Sequence, residues 1–305
     1  EAINAPSAWQ MLIDKYGSVS SVPTIRVGVI DAYVDQTHPD LQIEHNWMFT
    51  TKGNAFFEDP FSETYITELA SEAKTWEDFS GVVHGTHVAG TISARFNGKG
   101  INGVALNCEL YGASTEELFW KSGVYEETIS SIYGKISVLS LLIEKSNCQV
   151  INYSMGFTEK PSDSYRHSAG EKVADVLGKY IQLGKDDFLI VAAAGNYPEQ
   201  EAANSSIFTI ITDEVVKSHI IVVGNAINDL PFRYYPQQCY GERIDVMAPG
   251  TDIYSTVSLN EQDLYNQRGE KIYSANQQFV FMTGTSMAAP HVTGLAALVW
   301  AANPD

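Results

Sequence analysis

Short apolar runs alternate with helix-length segments along most of the chain. The runs, mostly rich in β-branched residues, are residues 26–30, 110–113, 149–153, 188–193 and 219–223. Helices are predicted over residues 85–94, 128–145, 170–183 and 287–302. Such alternation indicates βαβ units and a mostly parallel sheet with helices on both faces. The expected fold class is therefore α/β, a three-layer α/β/α sandwich.

The length of the chain sets the expected domain organisation. A chain of 305 residues, of which 44% are hydrophobic, can bury one large core. We expect a single domain over residues 1–305, with an insertion near residues 50–79, where a polar tract with scattered aromatic residues shows no strong periodicity. No run of eighteen apolar residues occurs, so no membrane span is predicted.

Charge and cysteine content exclude several function classes. The chain has 37 acidic and 19 basic side chains and a formal charge of −18, which disfavours nucleic acid and acidic membranes as partners. Its three cysteines, Cys108, Cys148 and Cys239, allow one internal disulfide at most and have no metal-ligand spacing. Buried free thiols are the expected state of Cys108 and Cys148.

Ser286 is the first candidate for chemistry. An apolar strand ending near Met282 leads into a turn, and Ser286 follows at the start of a long, Ala-rich helix. Free N–H groups and the helix dipole favour a developing negative charge at such a position. The serine is thus a candidate nucleophile, provided that a base and an orienting acid lie nearby.

Three other polar residues follow or accompany the predicted elements. Asp31 comes directly after the first apolar run, and Asn196 follows the run at 188–193. Because ligand sites of open α/β sheets gather at the carboxyl ends of strands, Asp31 and Asn196 are expected at one edge. His84 opens the helix predicted from residue 85 and is the candidate base.

Four segments in the order Asp, His, Asn, Ser carry a family resemblance. Gly28-Val29-Ile30-Asp31, His84-Gly85-Thr86-His87, Ala194-Gly195-Asn196 and Gly284-Thr285-Ser286-Met287 resemble those of the subtilisin-like serine proteases, the subtilases. The resemblance spans residues 25 to 294. It implies a triad of Asp31, His84 and Ser286, with the Asn196 side chain and the Ser286 backbone N–H as donors to the oxyanion. His87 and His291 are interpreted as structural.

Competing motifs fail on their context. Residues 98–103 match the dinucleotide pattern G-x-G-x-x-G but follow a predicted helix and not a strand. His84 and His87 lack the Glu of the zinc motif H-E-x-x-H. The serine segment lacks the second glycine of G-x-S-x-G, and the order Asp, His, Ser differs from that of α/β-hydrolases. No redox or nucleotide cofactor is expected.

The resemblance also implies how a substrate is held. In subtilases an extended peptide adds as a strand between two enzyme segments. Ser154, Met155 and Gly156 match one of these segments, and Ser122 and Gly123 are a weaker match to the opposite one. The pocket for the residue before the scissile bond would be lined by Ala193, Gly195 and Tyr197.

A structural calcium site is a further implication of the resemblance. Asp40 and Asn97 match side-chain ligands of a calcium site common in the family. Hard oxygen ligands from a loop suit Ca²⁺. The alternative, a glycine-containing loop without any metal, has equal weight at this point.

The chain departs from the family pattern after the acid. Ala32-Tyr33-Val34 replace a hydroxyl residue and a glycine, so the orientation of Asp31 is open. The implied function is a serine endopeptidase that forms an acyl-enzyme. A narrow processing protease is slightly favoured over a general degradative one because of the insertions, and a pseudoprotease or binding module is the alternative class.

Partners and location follow from the same resemblance. The expected partners are a peptide or protein substrate and a propeptide or inhibitor. The segment from Glu1 shows no basic and then apolar leader, so a signal peptide or propeptide was either removed or never present. A secreted or otherwise extracytoplasmic location is favoured, and a cytoplasmic one stays open.

Overall fold

A computed structural model of the chain describes residues 3–50, 55–58, 65–115, 129–157, 162–227 and 231–304. Ser122 and Gly123, predicted to form one wall of the substrate cleft, lie outside the described residues. The helices within the described part are α1 (Ala5–Tyr16), α2 (Tyr65–Glu72), α3 (Trp76–Ser93), α4 (Ile129–Glu144), α5 (Asp163–Gln182), α6 (Glu214–Lys217) and α7 (Thr285–Ala302).

The described strands form one large sheet and two small ones. They are β1 (Ile25–Ile30), β2 (Ile43–Thr50), β3 (Ala55–Glu58), β4 (Cys108–Thr115), β5 (Val150–Tyr153), β6 (Leu189–Ala193), β7 (Ile220–Ile227), β8 (Arg233–Tyr234), β9 (Val246–Pro249), β10 (Ile253–Thr256), β11 (Leu264–Tyr265), β12 (Lys271–Tyr273) and β13 (Phe279–Met282). The large sheet has the order β3-β2-β4-β1-β5-β6-β7-β8, with β9 also paired to β7. Antiparallel pairs join β10 to β13 and β11 to β12.

The large sheet is mostly parallel. Its central strands β4, β1, β5, β6 and β7 all run in one direction, and only β3 and β8 pair antiparallel to their neighbours. Crossover connections between parallel strands need intervening helices, which explains why α4 and α5 lie between β4, β5 and β6 in the chain.

Alternating side chains of the strands supply two cores. Val27 and Val29 of β1 pack on the face that also contacts α3 and α7, whereas Ile30 belongs to the core beneath α4 and α5. In β6, Val191 and Ala193 face the first core, and Ile190 and Ala192 face the second. Burial on both faces accounts for the continuous apolar runs in the sequence. The three-layer α/β/α sandwich predicted from those runs is confirmed.

Two helices begin earlier than their periodicity indicated. α3 starts at Trp76, where the Thr75 side chain caps the helix by accepting a hydrogen bond from the Asp78 N–H at 3.1 Å. α5 starts at Asp163, with Ser162 accepting from the Tyr165 N–H. In both cases a side-chain hydroxyl caps the first turn and fixes the start of the helix. His84 consequently lies in the middle of α3 and not at its beginning.

The tract at residues 50–79 is also more regular than expected. It contains β3, α2 and the first turn of α3. β2 and β3 pair antiparallel and extend the large sheet at one edge. The insertion near residues 50–79 and the single domain over residues 1–305 stay predictions.

Candidate active site

Asp31 and His84 are joined by a short hydrogen bond. His84 Nδ1 lies 2.7 Å from Asp31 Oδ1. The same carboxylate oxygen accepts the Ala32 N–H at 2.7 Å, whereas Asp31 Oδ2 has no hydrogen-bond partner among the described residues. Asp31 is completely buried, and the His84 side chain is 23% exposed. The buried carboxylate therefore holds the imidazole by one nitrogen and leaves the other available toward solvent.

A glycine allows this contact. Gly85 packs so closely on the end of β1 that an added Cβ would overlap the carbonyl oxygen of Ala32. The other side of α3 is fixed by buried hydroxyls, since Ser255 and Thr256 donate at 2.7 Å to the carbonyls of His87 and Thr86. Helix α3 is thus held between β1 and β10 at the depth that brings His84 to Asp31.

Ser286 lies in the first turn of α7, directly after a turn at Gly284. Its Oγ donates to the carbonyl of Ser154 at 3.0 Å, and the Ser154 Oγ donates to the carbonyl of Ser286 at 2.9 Å. No hydrogen bond joins Ser286 to His84 within the described residues. In enzymes, catalytic hydrogen bonds often form only once substrate is bound. The Ser286 hydroxyl in this structure is bonded to Ser154 instead. The backbone N–H of Ser286 belongs to the first helical turn, where such groups have no intrahelical acceptor.

Asn196 is oriented by Thr285, the residue before the serine. The Asn196 Oδ1 accepts the Thr285 N–H at 2.9 Å and the Thr285 hydroxyl at 3.1 Å. The same hydroxyl accepts the Gly195 N–H at 3.1 Å. With its oxygen occupied, Asn196 presents its Nδ2 as a donor that has no acceptor among the described residues. Thr285 precedes the candidate serine in the sequence, but only the structure shows that it binds Asn196.

The sheet order explains why these residues meet. Asp31, Ser154 and Asn196 follow β1, β5 and β6, which are neighbours in the sheet. Helix α7 packs against β1, β5 and β6 and against α3, so Ser286 reaches the same edge. The structure brings together the acid, the base, the serine and the amide that the sequence singled out.

Comparison with known proteins matches nearly the whole chain. The model of the subtilase family matches residues 23–305. The chain belongs to the subtilase family. It is 32% identical over 280 residues to subtilisin E of Bacillus subtilis (strain 168), which covers 92% of this chain and 56% of subtilisin E. A subtilisin of Bacillus pumilus is also 32% identical over 280 residues, covering 92% of this chain and 78% of that protein.

Solved structures show the same fold. Fervidolysin from Fervidobacterium pennivorans, a keratinolytic enzyme related to subtilisin, superposes with a TM-score of 0.60 at 22% identity, covering 98% of this chain and 38% of its own. The S41 psychrophilic protease gives a TM-score of 0.60 at 23% identity, covering 96% of this chain and 84% of its own. This subtilase chain spans only about half the length of subtilisin E, 56% by the matched share.

The electrostatics of the subtilase site favour a basic His84. Burial alone would lower the pKa of His84, but the negative charge of Asp31 and the hydrogen bond to it outweigh burial and raise that pKa above its ordinary value. His87 shows the opposite behaviour. Burial and the charge of His84 lower the pKa of His87 to about 3, so it stays neutral.

His87 and His291 are used within the fold. The His87 Nε2 lies 3.0 Å from the carbonyl of Ile253 and 3.3 Å from that of Val280, which are on paired strands β10 and β13. The His291 Nδ1 donates to the Met287 carbonyl at 2.9 Å, and burial lowers the pKa of His291. These contacts agree with the structural interpretation of both residues.

The predicted substrate-contacting residues are placed at the end of β5 and β6. Ser154 is buried, and Met155 and Gly156 are half-buried. Gly195 is half-buried with φ +97°, and Tyr197 is 37% exposed. Ala193, in contrast, is only 4% exposed and packs in the core against α3 and α7. Its side chain is therefore part of the core and does not line an open pocket.

The loop predicted to hold calcium is closed by the chain's own hydrogen bonds. Asp40 Oδ1 accepts from Asn97 Nδ2 at 2.9 Å, and Asp40 Oδ2 accepts the Ile101 N–H at 3.0 Å. Asn97 thus directs an N–H toward Asp40, whereas a calcium ligand must direct an oxygen toward the ion. Among the described residues no group of three or more His, Cys, Asp or Glu side chains could hold a metal. The two residues do not fit the site that the resemblance implies.

All three cysteines of the chain lie within the described residues. Cys108, Cys148 and Cys239 are free thiols. Cys148 and Cys239 are buried, whereas Cys108, which was also expected to be buried, is only half-buried. None of the helices in the described ranges is both long and apolar enough to cross a bilayer.

A cavity of about 480 Å³ lies at the amino ends of the strands, beside Arg26, Lys185 and Phe188, far along the sheet from Asp31 and His84.

Proposed function

We propose that this chain is a serine endopeptidase that hydrolyses peptide bonds through an acyl-enzyme. The observation that carries the proposal is the 2.7 Å hydrogen bond between a fully buried Asp31 and a solvent-accessible His84, at the sheet edge where Ser286 begins α7. Acyl transfer requires a buried carboxylate on one imidazole nitrogen and a hydroxyl that can approach the other, and we assign that hydroxyl to Ser286.

Attack on the peptide carbonyl begins at Ser286. Its Oγ first leaves the Ser154 carbonyl and turns toward His84 Nε2, which takes the hydroxyl proton as the oxygen bonds to carbon. Asp31 keeps the Nδ1 proton in place and stabilises the imidazolium. His84 then gives the proton to the leaving amine as the C–N bond breaks. Water next attacks the acyl carbon and gives its proton to His84, which returns it to Ser286 Oγ as the carboxylic acid leaves.

The carbonyl oxygen becomes negatively charged in this step, and two donors are available for it. Thr285 orients the Asn196 amide through its oxygen, and Nδ2 remains a donor with no acceptor among the described residues. The backbone N–H of Ser286 belongs to the first turn of α7, where such groups have no intrahelical acceptor. Donors that are fixed before the reaction stabilise the oxyanion without further reorganisation.

Substrate binding is proposed along the segment after β5. An extended peptide would pair with Ser154, Met155 and Gly156, and a P1 side chain would enter beside Gly195 and Tyr197. The Ser154 carbonyl is now bonded to the Ser286 hydroxyl, so a peptide N–H arriving there would release the nucleophile. The opposite wall at Ser122 and Gly123 lies outside the described residues and stays a prediction.

We also propose a biological role and a location for this protease. We favour a narrow processing protease over a general degradative one, and a secreted or otherwise extracytoplasmic location. A propeptide or inhibitor that binds the same cleft is expected. The proposed chemistry uses side chains and backbone groups only, and it needs no redox or nucleotide cofactor.

A peptide-library digestion tests activity and role together. The intact chain and its Ser286→Ala variant would be incubated with a mixed peptide library, and products identified by mass spectrometry. We expect internal cleavage by the parent only, at sites with a shared sequence pattern. Cleavage that is unchanged in the variant would contradict the proposal, and cleavage at nearly every site would replace the processing role by a degradative one.

A further inference from the structure

Asp40 is the centre of a closed set of hydrogen bonds. The residue is 3% exposed. Asn97 Nδ2 donates to Oδ1 at 2.9 Å, and the Ile101 N–H donates to Oδ2 at 3.0 Å. The backbone carbonyl of Asp40 accepts the Arg95 N–H at 2.9 Å. Both oxygens of a buried carboxylate are therefore neutralised by N–H groups of one loop, as buried charges require.

The orientation of the Asn97 amide is fixed by a second bond. Its Oδ1 accepts the Lys99 N–H at 2.8 Å. If the amide were rotated by half a turn, its NH₂ would oppose the Lys99 N–H and its oxygen would face the Asp40 carboxylate. Both contacts would be repulsive without a cation, so the observed orientation belongs to a loop without a metal.

Gly100 shows how tightly the loop encloses the carboxylate. It has φ +55°, and an added Cβ would overlap Asp40 Oδ2. Ca²⁺ takes six to eight oxygen ligands at 2.3–2.6 Å. Gly100 and the Ile101 N–H therefore lie directly against Asp40 Oδ2.

The same residues connect two segments that carry the candidate active site. Arg95 follows the end of α3, the helix with His84. The Asp40 N–H donates to His38 Nδ1 at 3.1 Å, and His38 Nε2 donates to the Gln278 carbonyl at 3.1 Å. Gln278 directly precedes β13, which leads to Ser286. Asp40 thus lies between the end of α3 and the start of β13.

We propose that Asp40 and Asn97 form a metal-independent clamp, in place of the calcium site that the family resemblance implies. The carboxylate holds the loop that follows α3 through Asn97 and Ile101. The Asp40 backbone then joins this loop to Arg95 at the end of α3 and, through His38, to Gln278 before β13. Thermal stability through this loop then depends on the integrity of Asp40 and is unaffected by calcium or by a chelator.

Thermal unfolding tests the clamp without requiring activity. The midpoint Tm would be measured with EDTA and with excess CaCl₂, in a Ser286→Ala background that prevents self-digestion. We expect the same Tm in both buffers. Asp40→Asn should lower Tm by about 2–4 °C or more in both, since it removes a buried charge that accepts two hydrogen bonds. The matched control is Asp14→Asn, an exposed carboxylate bonded to Gln10 Nε2 at 2.7 Å, which should leave Tm nearly unchanged.

The pattern across variants separates the outcomes. A calcium-dependent rise in Tm that disappears in Asp40→Asn would overturn the clamp. A rise of equal size in the parent and in Asp40→Asn would place calcium elsewhere and support the clamp. Asn97→Ala gives a second measure, because it removes one donor and leaves the charge. It should lower Tm in both buffers, and a loss seen only with CaCl₂ would contradict the proposal.

Discussion

Gly85→Ala is expected to separate the acid from the base while leaving every proposed catalytic residue in place. The added methyl would overlap the Ala32 carbonyl oxygen and would lie 3.1 Å from the Ala32 carbonyl carbon and 3.3 Å from Asp31 Cβ. Carbon atoms pack best at about 3.5–4.0 Å, so α3 must withdraw from β1 by roughly 1 Å.

That withdrawal acts directly on the His84–Asp31 contact. Its present length of 2.7 Å would grow beyond hydrogen-bond distance. A displacement of about 1 Å at a reacting group can lower the rate by about 10²-fold, or roughly 2.7 kcal/mol of transition-state stabilisation. Overpacking should also reduce the free energy of unfolding by about 1–3 kcal/mol.

The assay is kcat/KM on a peptide substrate together with a thermal melt. Gly81→Ala is the matched control, because Gly81 is exposed on the same helix and no described residue would come within 4 Å of an added Cβ. It should keep full activity and gain about 0.5–1 kcal/mol of stability. Gly85→Ala with the kcat/KM of the parent, or equal losses in both variants, would refute the geometry proposed for the pair.

The other predictions concern Asn196, Asp31 and Ala32 in the same candidate site. Asn196→Ala should lower kcat by about 10²–10³-fold with little change in KM, as in subtilisin when an oxyanion donor is removed; an unchanged kcat would remove Asn196 from the oxyanion site. Because Asp31 raises the pKa of His84, and because the base must be neutral, kcat/KM should fall as the pH drops through a value above 6.5. Asp31→Asn should lower that pKa, move the acid limb to lower pH and reduce the plateau; a limb that stays in place would show that another group titrates. Ala32→Ser should offer a hydroxyl to the unpartnered Asp31 Oδ2 and raise the free energy of unfolding by about 1.5 kcal/mol, measured by denaturant titration. Ala32→Cys, of similar size but a weak donor, should not do so, and equal gains in both would point to packing.

The positions of the candidate residues relative to the strand ends were predictable from the sequence. Asp31 directly follows β1, Asn196 follows β6 after two residues, and parallel strands bring their carboxyl ends together. Ser286 follows a strand and a turn, which fixed its place at the start of α7. These inferences need only local sequence patterns, because a strand that is buried on both faces appears in the sequence as a continuous apolar run.

Features that depend on packing were not predictable from the sequence. The role of Thr285 depends on its contact with Asn196, 89 residues away. The closeness of Gly85 to Ala32 depends on how α3 lies on β1. The start of α3 was missed because its capping residue, Thr75, lies in a tract without apolar periodicity.

Whether Asp40 and Asn97 bind calcium could not be decided from the sequence. Asp40 and Asn97 have the residue types of a calcium site, and residue types alone cannot show which atom of an amide faces the carboxylate. The hydrogen bond from Lys99 settles the orientation of Asn97 in the structure.

Reaction with a fluorophosphonate probe tests the central claim most directly. The purified chain would be compared with Ser286→Ala and His84→Ala, with folding of each checked by circular dichroism, and the labelled residue identified by mass spectrometry. An activated serine predicts a single label on Ser286 in the parent, none in Ser286→Ala and nearly none in His84→Ala. No label on the folded parent, or a label that persists in both variants, would contradict an active serine protease and leave a pseudoprotease.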